Sequence, residues 1–402
     1  MKTFHLDKNY SFTLYHSVGE ISGAWDELQS NSLLLSSKYL QTLETFHPEN
    51  MSFRYVLVYN SDQLIAGFYF QLIPFNAAER LQLEKLPRDS LFSCMYRHLK
   101  KIVARKVDFV TLICGNLLAT GTFGFAYKPV IKYEELQDLL NQILRTLFQN
   151  LDSIDHASVC LIKELPLTQK FDDSADSMLK YFHRFFIQPS MILNVSPEWN
   201  SMEDYFSDLQ SKYRLRVRKA LHSATSLIHK EFGNSELDIY KDKIYDLYIN
   251  TADGSDFNLV KLHREYFPEL KKALGDRYRI FGFFRDQDLI AFYSYLDDSP
   301  QLMGHFLGTM KENNLKYQVY LNILLKFIQH GIEGKYSSIN LARTAIEIKS
   351  SVGAVAVEMI CYLTHRNKIY NAFVPNLIQY LKPEENYTIR QPFKKLAKSN
   401  RQ

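Results

Sequence analysis

Two hairpin patterns, far apart in the chain, constrain its fold more than any other feature. The first runs Phe53-Arg54-Tyr55-Val56-Leu57-Val58-Tyr59, turns at Asn60-Ser61-Asp62-Gln63, and returns through Leu64 to Ile73 before Pro74. The second runs Arg277-Tyr278-Arg279-Ile280-Phe281-Gly282-Phe283-Phe284, turns at Arg285 to Asp288, and returns through Leu289 to Leu296. Apolar, β-branched and aromatic runs bounded by turn-forming residues define strands. Arg54-Tyr55 is echoed by Arg277-Tyr278, and Asp62-Gln63-Leu64-Ile65-Ala66 by Gln287-Asp288-Leu289-Ile290-Ala291. The same strand–turn–strand context in both places predicts an internal duplication, with chance likeness of two hairpins as the competing explanation.

Further elements are expected after each hairpin. After the second come a strand near Gln301 to Leu307, an apolar-faced helix over Leu315 to Gly331, a short strand at Ser338 to Leu341, and a helical turn from Thr344 to Gly353. After the first come a strand from Val107 to Leu118, a helix from Tyr133 to Leu151 and a strand from Ala157 to Lys163. In that helix Leu136, Leu140, Ile143, Leu144 and Leu147 share one face. Ser36 is a plausible cap for a helix carrying Tyr39, Leu40, Leu43 and Phe46. Further helices are expected over Ser201 to Ile228 and Ile239 to Thr251, and strands at Ser190 to Val195 and Val357 to Leu363. Leu83 to Lys106 reads as a basic helix or insertion, and Lys394, Lys395, Lys398 and Arg401 mark a polar tail. At 402 residues the chain is long enough for two α/β domains with mixed sheets. The expected division is 1–165 and 166–402, the second lobe carrying the active site.

The balance of residues excludes several classes. A net charge of +4 is too small for wholesale nucleic-acid binding, and no duplex DNA partner is expected. Cys94, Cys114, Cys160 and Cys361 form no C-x-x-C pair, so a reduced, buried set is expected and no metal site. The N-terminus has no signal core, and no run approaches the roughly 18 apolar residues that span a bilayer. A cytoplasmic protein is expected, with peripheral contact at the inner face of the membrane left open. The Gly121/Gly124 loop lacks the GK[ST] ending of a phosphate loop and reads as a strand-end turn.

Three stretches could carry chemistry. Lys212-Tyr213-Arg214-Leu215-Arg216-Val217-Arg218-Lys219-Ala220 places Tyr213, Val217 and Ala220 on one helical face and flanks them with five cations. Forked guanidinium groups suit phosphate, and a basic amphipathic helix suits anionic lipid; a solvated helix face explains the same residues. His305, among apolar neighbours in Leu302 to Thr309, is either a satisfied core residue or a proton acceptor. In Leu341-Ala342-Arg343-Thr344-Ala345-Ile346-Glu347-Ile348-Lys349, Thr344 and Glu347 have capping-box spacing, Gly353 supplies a C-terminal stop, and Lys349 lies just past a strand end, where α/β folds place ligands. Asp253 and Asp256 are reserve bases. No Ser-His-Asp or Cys-His pattern predicts a covalent intermediate.

Together, the arginine-rich helix at 212–220, the hairpin, strand and helix of 277–331 and the segment Leu341 to Lys349 resemble the FemAB/FemX-like branch of the GNAT acyltransferase superfamily. The N-terminal half, with Ser36-Ser37-Lys38-Tyr39-Leu40 before its hairpin, is similar to the degenerate first domain of such proteins. The resemblance implies two tandem GNAT-like acyl-CoA N-acyltransferase domains. It implies transfer of an acyl or aminoacyl group from acyl-CoA, an acyl carrier protein or aminoacyl-tRNA to an amine acceptor, with no tightly bound cofactor. The donor carbonyl would be polarised by a backbone N–H of a splayed strand, here 301–308. His305 and Glu347 are the catalytic candidates; Lys212, Arg214, Arg216, Arg218, Lys219, Arg343 and Lys349 are the donor- or substrate-binding ones. One departure stands out: Met310 to Gln318 lacks the glycines with which ordinary GNAT enzymes hold the coenzyme A pyrophosphate, although the helix after it would still offer free N–H groups. A non-catalytic protein of the same fold, binding cell-envelope precursors or anionic lipid, is the alternative.

Overall fold

Near-continuous runs of large apolar side chains along both hairpins make each a strand pair buried on both faces. In the computed structural model, which describes residues 2–7, 9–28, 32–76, 108–169, 181–253, 260–381 and 387–394, each hairpin lies inside a mixed sheet. The expected basic segment Leu83–Lys106, Asp256 and the tail residues Lys395, Lys398 and Arg401 lie outside the described residues.

The first sheet contains β1 (Lys2–His5), β2 (Tyr10–Tyr15), β3 (Ser52–Asn60), β4 (Gln63–Asn76), β5 (Asp108–Cys114), β6 (Phe125–Tyr127) and β7 (Val159–Pro166). The second contains β9 (Ser190–Asn194), β10 (Ile228–Glu231), β11 (Tyr278–Arg285), β12 (Asp288–Asp298), β13 (Gln301–Thr309), β14 (Ser338–Asn340) and β15 (Val355–Val357). β2, β3, β4 and β5 run antiparallel in sequence order, and β5 then pairs β7 in parallel. β10, β11, β12, β13 and β14 repeat that pattern, with the parallel step at β13/β14. Both hairpins even slip register near the turn, at Val58/Tyr59 and at Phe283/Phe284. The duplication read from the two hairpins is therefore a duplication of sheet topology.

The lobes do not part at 165/166. β8 (His183–Phe186) and β16 (Met359–His365), both beyond that boundary, complete the first sheet, β16 pairing with β7 on one side and β8 on the other. One residue, Glu358, separates β15 in the second sheet from β16 in the first. β9 pairs β15 just as β8 pairs β16, so a two-stranded ribbon of residues 183–194 and 355–365 passes from one sheet into the other. Residue order alone does not reveal this, because a strand pairs with whatever edge is open.

Three apolar layers fill the spaces. The helix Tyr133–Gln149 covers one face of the first sheet. Between the sheets, the helix Ser37–Thr45, capped by Ser36 as expected, packs on the helix Tyr266–Leu274, which in turn packs on Asn234–Asp253, with Tyr55, Tyr69, Tyr278 and Met303 in the same core. The helices Ser211–Ser223 and Val319–Glu333 cover the outer face of the second sheet. Two expected helices are interrupted. Ser201 to Ile228 breaks at Leu209-Gln210 and ends in β10, and Leu315 to Gly331 is divided by Gln318, whose φ of 49° separates the helix Lys311–Tyr317 from Val319–Glu333. Among the described residues no helix is long and apolar enough to cross a membrane.

β13 is pressed against the helix Asn234–Asp253 at Gly308, where a Cβ would come within 2.5 Å of the Leu247 carbonyl carbon. Backbone cannot yield as a side chain can, so Gly308→Ala should destabilise the protein by about 1–3 kcal/mol. Chemical denaturation tests this; an unchanged midpoint would mean that the helix is free to move off the strand.

Candidate functional site

The parallel step in the second sheet is short. β13 and β14 pair only from Gln301–Met303 to Ser338–Asn340. Beyond that point β13 continues to Thr309 while the chain leaves β14 as a loop, and a cavity of about 320 Å³ opens in the gap. Its walls are Met303 to Leu307 of β13, Leu341 to Thr344 of the loop, Tyr320, Leu324 and Phe327 of the next long helix, and Leu117 to Thr120 of the first lobe. The lining is largely apolar, and Arg343 and Lys349 are its charged groups.

β13 is bulged at the cavity. Its register with β12 shifts between Tyr293 and Tyr295, so His305 and Phe306 together oppose Ser294. Phe306 has φ +149°, a conformation that costs a residue with a Cβ and that clusters at ligand sites. The facing loop is strained as well: Ala342, Thr344 and Ala345 have φ of 59°, 64° and 48°. For a β-branched residue such as Thr344 that is a genuine outlier. Two side chains hold the loop. Asn340 accepts from Ala342 N at 2.9 Å through the oxygen that also takes Ser190 Oγ at 3.1 Å. Lys349 Nζ donates to the carbonyls of Ala342, at 3.3 Å, and Arg343.

Lys349 is buried, 3% exposed. Burial, and then the nearby Arg343 guanidinium, push its pKa down to about 7. Arg343 Nη1 is 3.0 Å from Glu164 Oε1, which also lies 2.7 Å from Lys163 Nζ. Glu164 is wholly buried, and its second oxygen accepts from Gly121 N at 2.7 Å, while Lys163 Nζ donates to Ala119 O at 2.7 Å. One carboxylate of the first lobe thus ties the second-lobe loop to the first-lobe wall of the cavity. The first lobe supplies Lys163 and Glu164, and the second Arg343 and Lys349, so cations outnumber anions here.

His305 lines the cavity but is not the base that its residue type suggests. Only 6% exposed, it is pushed down to a pKa of about 3 by burial, so it stays neutral and too weakly basic to take a proton from an ammonium. Its Nε2 pairs with Tyr266 OH at 2.8 Å. Tyr266 OH lies 3.5 Å from Tyr39 OH, which accepts from Asn116 Nδ2 at 3.0 Å; Gln71 Nε2 then bridges Asn116 Oδ1 and Tyr69 OH, at 3.4 and 2.7 Å. This buried chain runs from the cavity across the lobe interface. Residue type alone does not single out Tyr266, Tyr39 or Asn116; a Lys-Glu pair at the end of an apolar strand was the signal for Lys163 and Glu164.

Glu347 is not at the cavity. Its carboxylate pairs with Arg390, whose Nε lies 3.1 Å from Oε1. Nor does it form a capping box, because the helix Ile346–Ser350 starts from Ala345 with no side-chain cap. Asp253 is paired with Lys261 at 2.7 Å. The basic helix buries Tyr213, Val217 and Ala220 as expected. Its carboxyl end is fastened by Asn322 Nδ2 to Ala220 O at 2.9 Å and by Ser223 Oγ to Tyr317 O at 2.9 Å. Lys212, Arg216, Arg218 and Lys219 are exposed and Arg214 half-buried, and none of the five lines the cavity. Arg218 lies 3.6 Å from the exposed Glu203. The helix Val319–Glu333 does not present its first turn freely, since Asn314 Oδ1 accepts from Tyr320 N at 2.9 Å. No group of residues fit to hold a metal ion occurs among the described residues.

No family model matches the chain, and no curated protein does. Solved structures do. FemX is 11% identical with a TM-score of 0.50, over 95% of this chain and 100% of that one. A tandem GNAT protein from the clavulanic acid biosynthesis pathway is 11% identical with a TM-score of 0.50, over 89% of this chain and 99% of that one. A conserved protein of unknown function from Bacteroides thetaiotaomicron VPI-5482 is 11% identical with the same TM-score, over 88% and 98%. The fold is that of the tandem GNAT proteins, with two mixed α/β sheets, as the resemblance implied.

The buried lysine has a thermodynamic signature. Its folded pKa of about 7 lies below the ordinary 10.5, so between those values the unfolded chain binds the extra proton and stability rises with pH. The cost of burying Lys349 is complete below pH 7 and relieved toward pH 10. Lys349→Met should flatten that rise; equal slopes for the two proteins in denaturant titrations between pH 7 and 9.5 would show that the lysine titrates normally.

Proposed function

We propose that this chain is an N-acyltransferase that moves an acyl or aminoacyl group from a thioester or charged tRNA to an amine, by direct attack in the cavity between β13 and β14. The observation that carries the reading is the placement of Lys349. A lysine with a pKa of about 7 stands in a largely apolar cavity, beside a strand that has lost its β14 partner beyond Met303. Backbone polar groups on that side of β13 are open to a donor carbonyl, whose developing negative charge they would stabilise. Near neutral pH a large share of Lys349 is unprotonated, so it can accept the proton of an attacking ammonium. This replaces His305 and Glu347 as the proton acceptor and gives Lys349 a role beyond anion binding. Arg343 holds an anionic part of the donor or acceptor. His305, neutral and fixed by Tyr266, shapes the strand bulge.

The choice of donor rests on two features outside the cavity. Met310 to Gln318 forms a helix in place of a glycine turn, and Asn314 takes up the Tyr320 amide, an arrangement that suits acyl carrier protein or aminoacyl-tRNA better than free coenzyme A. The exposed cations Lys212, Arg216, Arg218 and Lys219, with the half-buried Arg214, would meet the phosphates of such a carrier from outside.

Purified protein offered acyl-CoA, acyl carrier protein thioesters and charged tRNA, with donor loss followed by mass spectrometry, should consume one of them. If none is consumed and none shifts the melting temperature, the non-catalytic alternative takes its place. With the donor in hand, Lys349→Met should lower kcat by about 10²–10⁴-fold and remove a limb near pH 7 from the rate profile. An unaltered profile would acquit the lysine. Arg214→Ala with Arg218→Ala should weaken donor binding by roughly tenfold at low salt and by less at high salt; unchanged binding would remove the helix from the donor path.

A further inference from the structure

One surface of the first lobe is amphipathic in the wrong sense for water. The helices Lys368–Asn371 and Val374–Leu381 come after β16 and pack against it, the second also against the edge strand β8. Two asparagines, Asn367 and Asn371, cap the first helix and tie it to its neighbours. Asn367 caps the first helix, accepting from Ile369 N at 2.9 Å. Asn371 Oδ1 accepts from His365 N at 2.8 Å, and its Nδ2 donates to Tyr181 O at 2.8 Å. Val374 is buried. Large apolar side chains nevertheless face outward beside the exposed Lys368, Asn376 and Gln379: Ile369 is 70% exposed, Tyr370 62%, Phe373 62% and Leu377 40%. Ile369 lies on the first helix, Phe373 in the turn between the two and Leu377 on the second, so the exposed apolar stripe bridges both short helices. Phe186 on β8 and Tyr181 just before it are 46% and 48% exposed. Six of the fifteen large hydrophobics exposed among the described residues thus lie on adjoining elements, a grouped patch rather than the single exposed residues that any surface carries.

The charge beside the patch selects its partner. Arg366 and Lys368 flank the stripe, both exposed and neither with an ion pair among the described residues. From Met359 to Leu381 the sequence has no Asp or Glu. A twofold contact with a second copy would put the same unpaired cations on both sides of the interface, with no carboxylate from the Met359–Leu381 stretch to meet them. A bilayer containing anionic lipid satisfies both halves: the stripe enters the headgroup–acyl boundary, Tyr370 sits at headgroup level, and Arg366 and Lys368 meet lipid phosphate. We propose that this face, rather than the arginine-rich helix, is a docking surface for an anionic membrane, which the chain meets from one side without crossing. The proposal goes beyond the transfer reaction and does not depend on it.

The test uses the full chain and vesicles of phosphatidylcholine, either alone or with about one-third phosphatidylglycerol. The protein should sediment with the anionic vesicles and not with the neutral ones, and less so as salt rises. Ile369→Asp with Phe373→Asp should cut that binding by at least about tenfold with an unchanged circular dichroism spectrum, because both side chains are exposed. Arg366→Gln with Lys368→Gln, which leaves the apolar stripe intact, should weaken it too. Failure to sediment with either vesicle overturns the proposal, as does equal binding to both or indifference to the Gln pair. A concentration-dependent dimer abolished by the Asp pair would instead make the patch a self-interface. Donor consumption without vesicles reports on the transfer reading separately.

Discussion

The ribbon shared by the two sheets is the constraint on which the site depends. Residues 183–186 pair with 360–363 in the first sheet, and residues 190–192 pair with 355–357 in the second. Hydrogen-bonded strands do not slide, because a one-residue slip would turn every side chain to the opposite face. The sheets are therefore held at a set distance and angle by backbone pairing as well as by the aromatic core between them. That placement puts Leu117 to Thr120 of the first lobe on the wall of a cavity whose other walls belong to the second.

The same placement makes the buried charges tolerable. Leaving a carboxylate such as Glu164 unpaired in the interior would cost several kcal/mol, about 3–5 by the usual measure of a broken buried pair. Here it faces Lys163 and Arg343 and takes an amide as well, so its interactions come from both lobes. Lys349 has no carboxylate partner among the described residues and answers by losing basicity. Its hydrogen bonds to two carbonyls of a loop with three left-handed non-glycine residues explain how that strained path persists. Strain, desolvation and surplus positive charge thus meet in one cavity, a combination that structural ion pairs on a surface do not produce.

Much of the fold was legible because it rests on local patterns. The hairpins, the Ser36 cap and the helix Tyr133–Gln149 come from apolar runs, helical spacing and turn residues. Errors arose where one residue overrode a pattern. Gln318 in a left-handed conformation split a helix whose apolar spacing looked continuous, and Leu209-Gln210 did the same further upstream. In the site, Lys349 was picked out by its place after a strand end, which topology controls, and Arg343 by the resemblance of the segment that carries it. His305 and Glu347 were picked out by residue type, which says nothing of burial or partners. Burial to a pKa of about 3 and an ion pair with Arg390 changed what each can do.

The sequence by itself determined that two similar hairpins recur in the chain, that the second half carries a lysine past a short strand, and that an arginine-rich helix precedes it. These are properties of periodicity and spacing, which act over a few residues. Only the tertiary structure decided that β16 returns to the first sheet, that Glu164 reaches Arg343, and that Lys349 is dry while the basic helix is wet. Each of these depends on elements distant in the chain coming together, and on the low-dielectric interior that their contact creates.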